Sequence, residues 1–198
     1  MFPNTVMPLV VGREKSVKLV KEAIASQKML VVVAQKDGRI EDPKEEEMYT
    51  IGTVGTIIKT SNLSDNSLSV IVQGLTRVRV KEFTRVEPYY SARIEVLEDL
   101  VIKDIETEAL LINLKDMAKK AVSLSKTLPN ELTLIIDNIN EAGKLADLIA
   151  SNLNISIEEK QGFLEILEVK QRLKRVSVLL NKELQALELA DKIHSDVV

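Results

Sequence analysis

The hydrophobic period changes once along this chain, and that change limits the folds open to it. From Leu68 to Lys81 the residues alternate, with Leu68, Val70 and Val72 set against Ser69, Ile71 and Gln73, and Val78 and Val80 against Arg77, Arg79 and Lys81. That is the period of a strand with one face toward a core. After about Val101 the apolar residues recur at three- and four-residue steps instead, as in Val169, Leu173, Val176, Leu180, Leu184 and Leu187. One layer of regular structure cannot satisfy both periods. The expectation is an α+β chain: residues 1–100 form a small, mostly antiparallel β-barrel or sandwich lobe with one early helix, and residues 101–198 an α-helical bundle ending in a long helix.

Local signals fill in the order. Phe2 to Val11 reads as extended, since Pro3, Pro8 and several β-branched residues disfavour helix. Glu14 to Lys28 reads as a helix with Val17, Val20, Ala23 and Ile24 on one face, and Met29 to Ala34 as a buried strand. The charged run from Asp37 to Glu47, with Gly38 and Pro43, predicts a mobile loop. Ser61 to Ser67 is a run of turn formers between two strands, and Asn66 can adopt positive φ there. A last strand has Tyr90, Ala92, Ile94 and Val96 inward and Arg93 and Glu95 outward. In the second half Asp104 is the expected N-cap of a helix to about Lys126. Pro129 suits the first turn of the next helix, and Asn140 the cap of a third. Ser156-Ile-Glu-Glu159 forms a capping box expected to open the last and longest helix, which reaches Val198 with no stop signal and reads as cut within a longer helix.

Several function classes fall away. With no cysteine there is no disulfide framework, zinc ribbon or thiol nucleophile. A single histidine, His194, cannot build a histidine metal site or a Ser-His-Asp triad, and it reads as a partly exposed helix residue. Gly143-Lys144 has Asn138 where a phosphate loop needs its first glycine and Leu145 where it needs Ser or Thr. Ser123-Leu-Ser125-Lys126 lies at a solvated helix end, which does not keep a lysine neutral for serine activation. Gly52, Gly55 and Gly74 lie in strand patterns and suit bulges or close backbone approach. Residues 1–100 hold 14 basic against 14 acidic side chains, so the stripe Arg77, Arg79, Lys81 and Arg85 does not indicate nucleic acid. Apolar runs near the start are broken by prolines and followed by charges, which indicates neither a signal peptide nor a membrane span and makes the cytoplasm the default. No catalytic, cofactor or metal residues are expected.

The word Met48-Tyr-Thr-Ile-Gly-Thr-Val-Gly-Thr-Ile-Ile58, the run Leu68 to Val80, Phe2-Pro3, Met7-Pro8-Leu9-Val10-Val11-Gly12-Arg13-Glu14-Lys15-Ser16 and Val32-Val33-Ala34-Gln35-Lys36 together resemble the N-terminal, substrate-recognising domain of bacterial Lon-type ATP-dependent proteases. The resemblance spans the chain, most closely to about residue 100. It implies a fragment that lacks the ATPase and Ser-Lys protease modules. Such a fragment captures unfolded or damaged polypeptides, while ATP and Mg²⁺ belong to the parent, a hexamer. The isolated fragment is expected to be a monomer or weak dimer. Two departures stand out: a first strand shorter than the family's, and Asp65-Asn66 where many relatives place Asp-Gly.

Candidate substrate contacts are Met7, Pro8 and Leu9 on the first strand, Arg13, Glu14 and Lys15 at a helix entrance, Leu63 in the hairpin turn, and Tyr89 and Tyr90. Glu14 suits the positive end of a helix, whereas Arg13 and Lys15 do not, which is why they point to a contact. Leu180, Leu184 and Leu187 are candidate helix-seam or oligomer contacts. Alternatives remain: an architectural module that supports assembly and spacing, and, as an outsider, a nucleic-acid module.

Overall fold

A computed structural model describes residues 1–63 and 65–193 in full and the backbone of residues 194–197; the side chain of His194 lies outside the described residues. The elements follow the change of period. Strand β1 (Val6–Val11), helix α1 (Glu14–Ala25), β2 (Leu30–Val32), β3 (Ile51–Asn62), β4 (Leu68–Arg85) and β5 (Ser91–Leu97) precede helices α2 (Ile105–Leu124), α3 (Leu132–Asn138), α4 (Ala142–Asn152), α5 (Ile157–Leu164) and α6 (Val169–Val197). The chain divides into two units, Met1–Glu98 with Ser156–Glu165, and Asp99–Ile155 with Ile166–Val198.

In the first unit every strand pairing is antiparallel, in the order β1-β4-β3-β2, with β5 on β4 beyond β1. The long strand β4 therefore serves three partners. The alternation of Leu68, Val70 and Val72 turns these residues inward, each under 5% exposed, against Val20 of α1 with Leu9, Val11, Val17, Leu30 and Val32 around them. Register shifts at Val54/Gly55 and Ile57/Lys59 bend the β3–β4 ribbon so that it curls instead of lying flat. A Cβ on Gly74 would stand 2.3 Å from the Phe2 carbonyl oxygen, and one on Gly52 2.4 Å from that of Val32, so close backbone approach explains both glycines. In the hairpin turn Asn66 takes φ 63°, the conformation a glycine would supply, and the Asp65 carboxylate accepts from the Ser67 amide at 3.1 Å.

Two readings of this unit need correction. Val96, expected inward, is 57% exposed, while Ala92 and Ile94 are half-buried and Leu97 is buried at the end of β5. Arg77, grouped in sequence with the basic stripe Arg79, Lys81 and Arg85, is buried and does not share a surface with them: its Nε donates to the Leu164 carbonyl at 3.0 Å, at the end of α5.

In the second unit Asp104 caps α2 as expected, accepting from the Thr107 amide at 2.8 Å. Val169, Leu173, Val176, Leu180 and Leu184 of α6 are buried, and α6 packs on α2 and α4. The box at Ser156 forms, with the Glu159 amide donating to Ser156 Oγ at 3.1 Å and the Ser156 amide to Glu159 Oε2 at 3.1 Å. It opens the short α5, however, which groups with the first unit, and the long helix begins only at Val169. The helix stops because the backbone around Glu168 pairs with Leu100: the Leu100 amide donates to Leu167 and the Val169 amide to Leu100. No glycine or proline marks this break. Asn140 likewise stands one residue too early, since Glu141 is the N-cap of α4 and Pro129 precedes α3 by a turn of its own.

Candidate functional site

The residues singled out at the entrance of α1 converge, but on the protein itself. Arg13 Nη2 donates to Gln35 Oε1 at 2.9 Å and to the Ile40 carbonyl at 3.2 Å. Lys15 Nζ lies 3.2 Å from Asp42 Oδ2 and 2.9 Å from Glu87 Oε1, and 5.9 Å from the centre of the Tyr90 ring. The Tyr90 hydroxyl donates to the Pro43 carbonyl at 3.2 Å. Glu14 makes an i,i+4 pair with Lys18 at 2.6 Å. The charged segment expected to be a mobile loop is therefore fastened across the front of α1, with a 3₁₀ turn at Glu45–Glu47.

These charges read each other. Hydrogen bonds to Glu87 and Asp42 raise the Lys15 ammonium above its ordinary value, and burial pushes the Tyr90 phenol up against the opposing pull of Lys15. Tyr89 faces the other way. It is 8% exposed, with the Arg85 guanidinium 4.6 Å from its ring centre, and a hydrogen bond to Glu22, then burial, raises its phenol. Phe83 and Tyr90 meet edge to face at 5.0 Å.

Behind these side chains lies an apolar trough. One part, about 550 Å³, has a floor of Leu9, Val11, Leu30, Val32, Val70 and Val72, and a rim formed by Arg13, Glu14, Lys15, Asp42 and Pro43. A second part, about 320 Å³, shares Leu19, Leu30, Val31, Val33, Met48 and Tyr90 with the first and extends past Met29 to Phe83 and Tyr89. Strand β2 lines both parts and ends the sheet path, so that among the described residues its outer edge has no neighbouring strand. The sequence hinted at this only through the apolar run Met29 to Ala34. Met29 is 63% exposed and the rest of the run is half-buried.

The other candidates, apart from Leu9 in the trough floor, are dispersed. Met7 and Leu9 are half-buried on the inward face of β1 while Pro8 is exposed. Leu63 is exposed at the hairpin tip, 40% accessible, away from the residues lining the trough. In the second unit Leu180 and Leu184 are buried and Leu187 is half-buried, all within the bundle. Among the described residues no group of three or more acidic, histidine or cysteine side chains is placed to hold a metal ion, and no helix is long and apolar enough to cross a membrane.

The chain has known relatives. Residues 1–182 match the family described as the ATP-dependent protease La (LON) substrate-binding domain. All of the chain aligns at 44% identity with a Lon protease of Dictyoglomus thermophilum, covering 25% of that protein. An alignment with a Lon protease of Anaeromyxobacter dehalogenans covers 99% of the chain and 23% of the relative at 43% identity. The chain thus spans about a quarter of the length of these relatives. In fold it is similar to the N-terminal domain of a Mycobacterium avium complex Lon protease, with TM-score 0.70 and 16% identity over 91% of this chain and 92% of that one. A Lon N-terminal domain protein from Xanthomonas campestris superposes with TM-score 0.62 at 16% identity over 90% of this chain and 91% of that one. The α+β architecture, the motif words of the first hundred residues and the family match agree: this chain belongs to the Lon substrate-binding domain family.

Proposed function

We propose that the chain is a recognition module that captures unfolded or damaged polypeptides for an ATP-dependent protease ring, with residues 1–100 making the contacts. The observation that carries this reading is the apolar trough in the first unit, bordered by an end strand whose free edge can pair with an extended chain. Folded proteins keep such segments inside, so an apolar trough of this kind selects for unfolded ones.

Magnitudes set how tightly one copy binds. Covering roughly 300 Å² of apolar surface contributes about 7 kcal/mol gross at about 25 cal/mol per Å². Association costs of about 4–15 kcal/mol consume most or all of it. A single copy therefore binds at about millimolar strength or weaker, and a hexameric parent gains about 10²–10⁴ through avidity. ATP, Mg²⁺ and the Ser-Lys chemistry belong to the remainder of that cytoplasmic parent, and none of the residues discussed above takes part in them.

The test is titration of a labelled, permanently unfolded protein against its folded form. Saturable binding of the unfolded form alone, weakened by Met29→Ser at the trough, supports the reading. Equal binding of both forms, or binding of neither, overturns it.

A second, architectural reading has its own observation. Leu189 and Ile193 near the end of α6 are 59% and 56% exposed, beyond the part of the seam that is buried. Self-association abolished by Leu189→Lys, with unfolded protein ignored, would favour assembly over recognition.

A further inference from the structure

The trough carries its own cover. Residues 37–46 leave and rejoin the sheet through a closed neck, where the Lys36 amide donates to Glu47 at 2.8 Å and the Tyr49 amide to Ala34 at 2.9 Å. Between these points the strap spans the rim, with Glu41, Asp42 and Pro43 against the apolar floor. It contributes almost no apolar surface of its own, since Ile40 and Pro43 are its only sizeable apolar residues. What holds it is polar: Arg13 and Gln35 on the Ile40 carbonyl, Lys15 on Asp42, Tyr90 on the Pro43 carbonyl and Lys36 on the Glu46 carbonyl at 2.8 Å. From Lys36 to Glu47 the segment carries six carboxylates against three basic side chains, so its match to Arg13 and Lys15 is one of charge. The side chains of Asp42 and Glu87 are more than two-thirds exposed. Ion pairs this open are worth about 0–1 kcal/mol and weaken with salt.

We propose that the acidic strap is a salt-sensitive cover on the apolar trough, displaced when an apolar polypeptide segment binds. The inference rests on the recognition reading and assigns its regulation. Arg13 and Lys15 then act on substrate indirectly, by holding the strap closed. Closure lowers the population that can bind, so the apparent affinity falls by the open fraction. Opening swings the strap about its neck and costs little of the core, because the buried residues Val20, Leu68, Val70 and Val72 stay in place.

The experiment compares the full chain with Asp42→Lys, which sets like charges against Lys15, using amide exchange over residues 37–46 and binding of a labelled, uncharged Leu- and Phe-rich peptide. Exchange in the variant should be faster and peptide binding about two- to fivefold tighter. Raising NaCl from about 0.05 to about 0.5 M should tighten binding to the natural chain and change the variant much less. Faster exchange with unchanged affinity, or unchanged exchange, overturns the cover. If the peptide binds neither protein while the unfolded protein still binds, the trough is not the site and the cover falls while recognition stands. If the unfolded protein also fails to bind, the recognition reading falls with it.

Discussion

Among the described residues each unit buries one arginine, and the two tie together different kinds of structure. In the first, Arg77 reaches the main-chain carbonyl of Leu164 from β4, joining segments 87 residues apart in sequence. In the second, Arg172 on α6 is fully buried among carboxylates: Nη1 and Nη2 lie 3.0 and 2.5 Å from Asp99, Nε lies 3.3 Å from Asp147, and the Ile166 carbonyl accepts from Nη1 at 2.7 Å. The β unit is closed by backbone meeting backbone, as at Gly52 and Gly74, and a single added methyl disturbs it. The helical unit is closed by an apolar seam plus one ionic cluster, and a single lost charge disturbs that. A buried ion pair adds little against an apolar substitute, but removing one member leaves the other stranded.

That contrast can be broken by experiment. The largest expected effect is Arg172→Ala, which takes the buried cation away from Asp99 and the nearly inaccessible Asp147 and should destabilise the second unit by about 3–5 kcal/mol. Segment-resolved amide exchange should show α2, α4 and α6 losing protection first; uniform loss throughout would erase the distinction between the units. Gly74→Ala should cost about 1–3 kcal/mol, seen in urea unfolding and confined to β1, β3 and β4, since the Phe2 backbone must move. Ser156→Ala should cost about 1 kcal/mol through loss of its cap. Its effect should appear in the β unit, with which residues 156–165 group, and loosening of α6 instead would contradict that grouping.

A milder effect is expected from acid. The Asp104 carboxyl is held far below its ordinary value, first by the Lys170 ammonium at 2.7 Å and then by the Thr107 amide and hydroxyl. A depressed carboxylate stabilises the fold above its unfolded value, near 3.8, and that contribution is lost as pH falls from there through the folded value. The start of α2 should therefore fray below about pH 4, and Asp104→Asn should remove this dependence from amide exchange. Smallest of all, Leu63→Ser at the exposed hairpin tip should change stability by less than about 0.5 kcal/mol. A clear loss of unfolded-protein binding in that variant would extend the recognition surface beyond the trough.

Elements with local causes were legible in the sequence, and elements with remote causes were not. The alternation around Val70, the Asp104 and Ser156 caps and the Asn66 turn each involve neighbours a few residues away. The break before α6 is different, because Leu100 supplies the competing backbone partner from 68 residues upstream of Glu168. Arg77 misled for the same reason: its partner carbonyl belongs to a helix that a strand pattern cannot reveal. Of the site, the sequence singled out Arg13 and Lys15 at a helix entrance and, separately, Tyr90 on the last strand. It did not reveal that they grip one strap, since charge patterning carries no direction in space.

By itself, then, the sequence determined the two periods, the family and the lack of any cysteine chemistry. Hydrogen bonding and side-chain alternation are short-range and leave their mark in neighbouring letters. Tertiary structure alone decided where α5 packs, which arginines are buried and what stands over the apolar trough. Those outcomes depend on groups far apart in the chain, and their energies exist only once the chain has brought them together.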